Sequence, residues 1–437
     1  MVDELRAIVG ADAVLTADED LITYGFDGTW YEHRPFAVVL PARTSEVCEI
    51  HKLASRERLA VTPRALGSGL SGGAIPLAGS LVLAIVRMNA ILEIDVVNHV
   101  AVVQPGVINA DLQAAVGARG LFYPPDPSSL KQSALGGNVA ENAGGARCLK
   151  YGVTGDYVQA LEVVLPDGAV LRTGGKMVKN VTGYDLRALF TGSEGTLGTI
   201  TEITLRLLPK PKYHRTAVAA YARIDDAART VTAIMAEGLL PTSIELLDNL
   251  TMHCVEEFSP AGLPLEADAI LLFGLDGNHE GALDEDLGRI EAIARAHGAA
   301  SIQLARSQSE SDRLWAARRV IAPALARTRP HRLGEDISIP RSAIPDMIAR
   351  IREIATRRRL PIPVFGHAGD GNLHPNILCD RGDPEEMARV REAAREIFEA
   401  AVALGGTLSG EHGIGLLKKQ FMELDVGPEG LRVMRAI

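Results

Sequence analysis

No apolar run in this chain approaches the ~20 residues that a membrane helix needs; Leu81–Val86 stops far short. Cysteine is scarce as well. Cys48, Cys148, Cys254 and Cys379 are scattered without a CxxC pair, which argues against a disulfide framework and against iron–sulfur or zinc-thiolate ligation. Positive charge is in deficit. Phosphate binding needs a basic surface, and a net charge of −10 argues against one, so no nucleic-acid partner is expected. Asp3, Glu4 and Arg6 make the start of the chain unlike a signal or transit peptide. Short-period repeats and low-complexity tracts are missing too. What remains is a chain of 437 residues, 47% of them hydrophobic, long enough for two or three domains and composed like a soluble cytoplasmic enzyme.

The first half alternates short strand-like and helix-like stretches. Phe36–Leu40 reads as a strand, Ser45–Arg56 as a helix capped by Ser45, and Ala60–Pro63 as another strand. Leu81–Arg87 and Val100–Gln104 follow as strands. Leu161–Leu165 and Ala169–Leu171 flank Pro166-Asp167-Gly168 as a hairpin. Thr199–Leu208 is a strand ending at Pro209-Lys210-Pro211, whose Pro-rich character marks the domain boundary. Beyond it, helical Ala227–Glu237 precedes strand-like Ser243–Leu247, and Leu283–His297 precedes Ile302–Leu304. Helical Ile344–Arg357 and Pro384–Leu404 complete the pattern. Strands returning around amphipathic helices indicate an α+β domain with an antiparallel sheet. The expected domains are 1–208 and 209–437.

The segment richest in chemistry is His367-Ala368-Gly369-Asp370-Gly371-Asn372-Leu373-His374. Gly tolerates positive φ, and Asp and Asn bond their own backbone, so this stretch turns tightly between the arms Ile362–Phe365 and Ile377–Leu378. Both imidazoles then sit at the base of one turn. Neutral imidazole suits a borderline divalent metal such as zinc. A second cluster, Ser409-Gly410-Glu411-His412-Gly413-Ile414-Gly415, supplies a carboxylate and a further His. Two histidines and a carboxylate with an open position form the ligand set of catalytic metals. The competing reading makes these hairpin-turn residues with surface histidines.

Three glycine-rich clusters occupy the first 200 residues. Arg64-Ala65-Leu66-Gly67-Ser68-Gly69-Leu70-Ser71-Gly72-Gly73 lets backbone N–H groups line an anion such as a pyrophosphate, with Arg64, Ser68 and Ser71 as side-chain donors. Gly67, Gly69 and Gly72 match GxGxxG, but that fingerprint demands a helix starting among the glycines. Here Pro76 and Gly79 follow and lead into a strand, so a nicotinamide site is disfavoured. The second cluster runs from Pro124 through Ser129 to Ala134–Gly145, and the third is Thr191–Gly198. Small residues at such density pack against a backbone or a flat ligand ring. Three clusters together indicate a large cofactor threaded among them.

In this order the motifs resemble the flavin-linked 2-hydroxy-acid dehydrogenases of the vanillyl-alcohol-oxidase superfamily. Within it, the motifs look like those of the FAD subunit of bacterial glycolate oxidase and of the D-lactate and D-2-hydroxyglutarate dehydrogenases. The resemblance implies an α+β fold: a two-subdomain PCMH-type (p-cresol methylhydroxylase-type) FAD-binding domain, then an α+β cap domain with an antiparallel sheet. By motif, Arg64, Gly67, Ser68, Gly69, Leu70, Ser71 and Gly72 would hold the pyrophosphate. Pro125, Asp126, Ser128, Gly136, Asn138, Asn142, Gly144, Gly145, Gly152, Glu194, Gly195 and Ile200 would lie along the flavin, ribose and adenine. His367, His374 and Glu411 match the relatives' divalent-metal ligands, which would hold zinc or manganese. His412 matches their base and Arg318 their carboxylate-gripping arginine. Relatives that attach FAD covalently through the first loop use a His there, and Leu70 and Ser71 stand in its place, so noncovalent FAD is implied. Relatives also continue into an Asn-Pro-Gly-Lys tail that returns to the flavin, whereas this chain stops at Arg435-Ala436-Ile437.

The implied reaction oxidises a 2-hydroxy acid to a 2-oxo acid. Arg318 grips the carboxylate, the metal acts on the hydroxyl, and His412 takes its proton. The expected partners are that acid and an electron acceptor, which could be a quinone, a cytochrome or a partner subunit. A homodimer and a peripheral position at the inner face of the membrane are compatible with this. A metal-dependent hydrolase and a cofactor-poor, non-catalytic partner subunit are the readings it competes with.

Overall fold

The computed structural model describes residues 1–437, which form two compact units. The first comprises Met1–Gly145, Gly152–Lys210 and Glu411–Lys419. The second comprises Ala146–Tyr151, Pro211–Gly410 and Gln420–Ile437.

The first unit contains two main sheets. Four strands run in the order Val14–Leu15, Ala37–Val39, Leu81–Ala84, Val61–Arg64. The last three pair in parallel, so each link needs a crossover. Helix Thr44–Glu57 makes the first, burying Val47, Ile50 and Leu53 against Ala37, Val39, Leu81 and Leu83. Ser45 is not its cap. The helix starts at Thr44, and the Glu46 carboxylate accepts the Ala42 N–H at 2.8 Å instead. A carboxylate in the first turn reaches back to an amide that a serine hydroxyl inside the helix cannot meet. The return from Val61–Arg64 to Leu81–Ala84 carries the first glycine-rich loop and no helix.

The other main sheet has five antiparallel strands in the order Ile91–Asp95, Val100–Val103, Thr199–Arg206, Val158–Val164, Val170–Gly174. The hairpin expected around Pro166-Asp167-Gly168 is present, with Gly168 at φ +83. One helix lay hidden in the second glycine cluster. Leu135–Glu141 is helical, although two of its residues are Gly136 and Gly137.

The second unit is built on one large antiparallel sheet. Its order is Ala299–Leu304, Tyr213–Tyr221, Ala269–Gly277, Ser243–Asp248, Val364–His367, Asn372–Cys379, His331–Gly334, and Ile337–Ser338 also pairs with Asn372–Cys379. The two expected helix-plus-strand units are there: Ile224–Ala236 with Ser243–Asp248, and Glu280–Ala296 with Ala299–Leu304. Val218, Leu247, Ile270, Leu272, Phe365 and Leu378 form a core under helices Asn249–Phe258, Gln308–Arg319 and Ile321–Thr328. Gln308–Arg319 is largely polar and buries only Leu314, Ala317 and Arg318, so its periodicity carried almost no apolar signal. No helix of the chain is long and apolar enough to cross a membrane.

The histidine hairpin forms as expected, from Val364–His367 and Asn372–Cys379 around a turn at Ala368–Gly371. Gly371 sits at φ +84, and a Cβ there would stand 2.1 Å from the Ile339 carbonyl oxygen. That oxygen belongs to backbone and cannot swing aside. Gly371→Ala is therefore expected to lower the unfolding free energy by about 1–3 kcal/mol, measured by urea titration; an unchanged midpoint would contradict this picture of the turn.

Candidate active site

In the second unit the site is organised by a carboxylate that water does not reach. Glu245 lies in Ser243–Asp248 directly opposite His367 in Val364–His367 and is fully buried. Its Oε1 is 2.7 Å from His367 Nδ1, and its Oε2 accepts from Arg318 Nε at 2.5 Å. Burial on its own would raise the Glu245 pKa, but the facing His367 imidazole and Arg318 guanidinium reverse this and leave it below the ordinary value. With Nδ1 turned to the Glu245 carboxylate, the orientation of the His367 ring is set. The His374 ring lies 5.2 Å from the His367 ring at 90°. Arg318 also stacks over Phe365, 4.9 Å from its centroid, which fixes the guanidinium plane.

A second buried carboxylate, Asp336, plays the corresponding part for the other cluster. It accepts from Asn372 Nδ2 at 2.5 Å, Ser409 Oγ at 2.7 Å and Gly410 N at 2.8 Å, and lies 3.6 Å from His374 Nδ1. Gly410 has no room for a side chain: a Cβ would stand 2.1 Å from Asn372 Nδ2. The hairpin and the Ser409-Gly410 segment are thus locked together, and Glu411 and His412 are the next two residues along the chain.

Those two belong to the first unit, where a third carboxylate holds the residues just beyond His412. Glu194 accepts Ile414 N–H and Gly415 N–H, both at 2.7 Å, and Leu417 N–H donates to the Ser71 carbonyl at 3.1 Å. The Glu194 side chain is therefore occupied in clamping the segment after His412 to the first glycine loop.

That loop fits an anionic cofactor. Gly72 N–H donates to Asp27 at 2.9 Å, while the backbone N–H groups from Gly67 to Ser71 donate to no other group of the protein. Ser71 Oγ and Asn138 Nδ2 are buried donors with no protein partner. Arg64 is buried beneath, bonded to the Ala74 carbonyl at 3.0 Å. Glu141 is an apparent intruder among these donors. Burial, then Glu194 and Asp27, push its pKa up to about 8, so near neutral pH it is largely a neutral donor and does not repel an anion.

The remaining expected cofactor residues divide by the work they do. Gly136 and Gly145 permit close packing, with Cβ positions 2.6 Å from Pro105 Cβ and from the Asp126 carbonyl oxygen, respectively. Gly152 and Gly195 adopt positive φ at turns. Asn142, at φ 52, accepts Gly155 N–H at 2.8 Å. The Pro125 carbonyl accepts from Gln113, Ser128 is exposed, and Ile200 is buried in its strand. Sequence reasoning overlooked Glu245, Asp336 and Glu141. The signal for Glu245 was an acid at the centre of a strand otherwise read as apolar.

The glycine loop of the first unit suits an anionic cofactor, and the second unit carries a buried pair of imidazoles, one of them oriented by Glu245. Residues 210–437 match the family described as "FAD linked oxidases, C-terminal domain", and residues 35–174 match "FAD binding domain". The chain belongs to the FAD-linked oxidases, and FAD is its cofactor. Glycolate oxidase subunit GlcD of Bacillus subtilis is 46% identical over 436 residues, covering 100% of this chain and 93% of that protein. A D-lactate dehydrogenase of Anaerostipes hadrus is 33% identical, covering 100% and 94%. Among solved structures, substrate-bound p-cresol methylhydroxylase superimposes with a TM-score of 0.84 at 19% identity, covering 100% of this chain and 92% of that one, which shows the shared fold. The nicotinamide, hydrolase and cofactor-poor readings find no support.

Glu245→Ala would leave the Arg318 charge buried and unmatched. A loss of about 3–5 kcal/mol in unfolding free energy is expected, and a loss below about 1 kcal/mol would show that Glu245 does not hold the cluster. Glu141 sets a pH dependence. Its folded pKa of about 8 lies above its ordinary 4.5, so the folded apoprotein keeps a proton that the unfolded chain releases. Its stabilising contribution is complete below that ordinary value and is lost as pH rises toward the folded value. Glu141→Gln should flatten this slope, read as the shift in urea midpoint of the apoprotein between weakly acidic and weakly basic buffer; an identical slope would remove Glu141 as its cause.

Proposed function

We propose that the chain oxidises a 2-hydroxy acid to the 2-oxo acid, passing the electrons to a non-nicotinamide acceptor. The observation that carries this reading is the Glu245 carboxylate, which orients a carboxylate-binding guanidinium and an imidazole at one point. Bound FAD supplies the two-electron acceptor for the hydride that leaves Cα. Arg318, with Nε committed to Glu245, presents its terminal N–H groups to the substrate carboxylate. His412 takes the hydroxyl proton as general base.

His367 and His374, with Glu411 as the third ligand, would hold a divalent cation, zinc or manganese. The donor set fits such an ion, because two imidazoles and a carboxylate are the ligand types it takes, and the His374 ring lies at right angles to the His367 ring, 5.2 Å away. A cation there would supply Lewis-acid polarisation of the substrate hydroxyl. The first loop has no His, so FAD is held noncovalently. The acceptor is a partner subunit, a quinone or a cytochrome, which suits a cytoplasmic protein that visits the inner face of the membrane.

Acid precipitation of the purified yellow protein should release the flavin into the supernatant; colour retained in the pellet would mean a covalent link. Bleaching by glycolate, D-lactate, L-lactate and D-2-hydroxyglutarate tests the reaction. His367→Ala and His374→Ala should lose metal and activity together while FAD stays bound. His412→Ala should keep both metal and FAD but slow flavin reduction by about 10²–10⁴-fold. Full-speed bleaching in His412→Ala removes it from the mechanism, and undiminished metal in His367→Ala dissolves the site.

A further inference from the structure

Arg332 has no part in the scheme above, yet its strand lies beside the one that carries His374. Its strand, His331–Gly334, pairs antiparallel with Asn372–Cys379, with Arg332 opposite Leu378 and Gly334 opposite Asn376. Paired residues and alternate residues along a strand share a face. Arg332 therefore shares the face of Asn376 and His374, and of Phe365, which pairs with His374. Arg332 NH1 donates to Asn376 Oδ1 at 2.7 Å, and Asn376 Nδ2 donates to the His374 carbonyl at 2.9 Å. The guanidinium runs along the sheet toward the row of His374. Gly334 leaves room for it, since a Cβ there would lie 2.9 Å from NH1 and 3.0 Å from Asn376 Oδ1.

The charge of Arg332 is unmatched. The Asn376 amide is its side-chain partner, and no carboxylate pairs with it. Burial lowers its pKa below the ordinary arginine value with no acid to offset the effect. Arg318, by contrast, is paired to Glu245. A half-buried guanidinium with most of its N–H donors unspent is relieved by an anionic group, ideally a carboxylate that can bind in bidentate fashion. The spacing is suitable. The guanidinium reaches the row of Asn376, and the next same-face row along that strand, that of His374, is about 7 Å on, a reach that a carboxymethyl or carboxyethyl arm plus one hydrogen bond covers.

We infer that Arg332 is an anion subsite for the far end of the substrate, so that the chain selects 2-hydroxy acids bearing a second carboxylate, of four or five carbons. The inference rests on the 2-hydroxy-acid reading proposed above. In it Arg318 takes the carboxylate next to the reacting carbon and Arg332 takes the distal one.

The test uses the full FAD-loaded chain. Flavin bleaching is followed with glycolate and both lactates, and with both enantiomers of malate and 2-hydroxyglutarate, in wild type, Arg332→Met and Arg332→Lys. Arg332→Met should lower kcat/KM for the favoured dicarboxylate about 10–100-fold more than for lactate, with FAD content retained, and Arg332→Lys should recover part of the loss. Arg332→Gln replaces the Met variant if that one fails to keep FAD. Calorimetry with succinate and glutarate, which lack the hydroxyl and cannot be oxidised, reads the subsite without turnover: binding should be about tenfold weaker in Arg332→Met. If no acid bleaches the flavin while succinate and glutarate binding still depends on Arg332, the 2-hydroxy-acid reading falls and the subsite stands. Equal losses for lactate and dicarboxylates, or dicarboxylate binding indifferent to Arg332, would overturn the subsite.

Discussion

The Glu245 carboxylate, itself out of reach of water, is shared between a buried imidazole and a buried guanidinium. A buried ion is tolerated only when its charge and its hydrogen bonds are both met, so each partner is as necessary to Glu245 as Glu245 is to them. The rest of the second unit depends on that requirement. Ser243–Asp248 must lie beside Val364–His367 to set Glu245 opposite His367, and Gln308–Arg319 must cross this sheet face to deliver Arg318. The same bond fixes which nitrogen of His367 is occupied. An orientation that chemistry needs is thereby obtained from an interaction that folding needs.

The device is repeated with different donors. Asp336 gathers an amide, a hydroxyl and a backbone N–H, and so holds Ser409 and Gly410 against the hairpin. Glu194 gathers two consecutive backbone N–H groups just beyond His412. A carboxylate accepting two or three short bonds is a stiff clamp, because charge-assisted bonds are roughly twice as strong as neutral ones. The chain segment bearing Glu411 and His412 is held in this way on both sides. Arg332 departs from the pattern: it is a half-buried cation for which the protein supplies an amide and no acid. Arg318, Glu245 and Asp336 are by contrast answered from within the fold.

Much of this was legible in the residues. The turn between His367 and His374 was readable because Gly-Asp-Gly-Asn admits few other conformations, and it carried the imidazoles to one end of a hairpin wherever that hairpin came to lie. The first glycine loop was readable as an anion cradle, and its failure as a nicotinamide fingerprint was readable from the proline and glycine that come after it. Ser45 misled, because a serine next to a helix start is a cap only if the helix begins after it, and the Glu46 carboxylate takes that role one residue on. Gln308–Arg319 left no trace, because a helix burying three residues has too narrow a stripe for its period to show. Glu194 was read as lying along the cofactor, and its carboxylate also holds the backbone at Ile414 and Gly415, a bond that no local pattern announces.

Residue order by itself determined the local conformations and the chemical inventory: tight turns where glycine permits positive φ, strands where branched residues alternate, and two histidines, a base and an acid at fixed separations. These depend on neighbours within a few positions, where sterics and short-range hydrogen bonds dominate. Only the tertiary structure decided which charges meet. Glu245 and His367 are separated by more than 120 residues, and Glu194 and Gly415 by more than 220. No periodicity encodes such pairs. They are selected because a buried carboxylate without partners would cost more than the fold can supply, and only the folded arrangement of strands says which partners lie within reach.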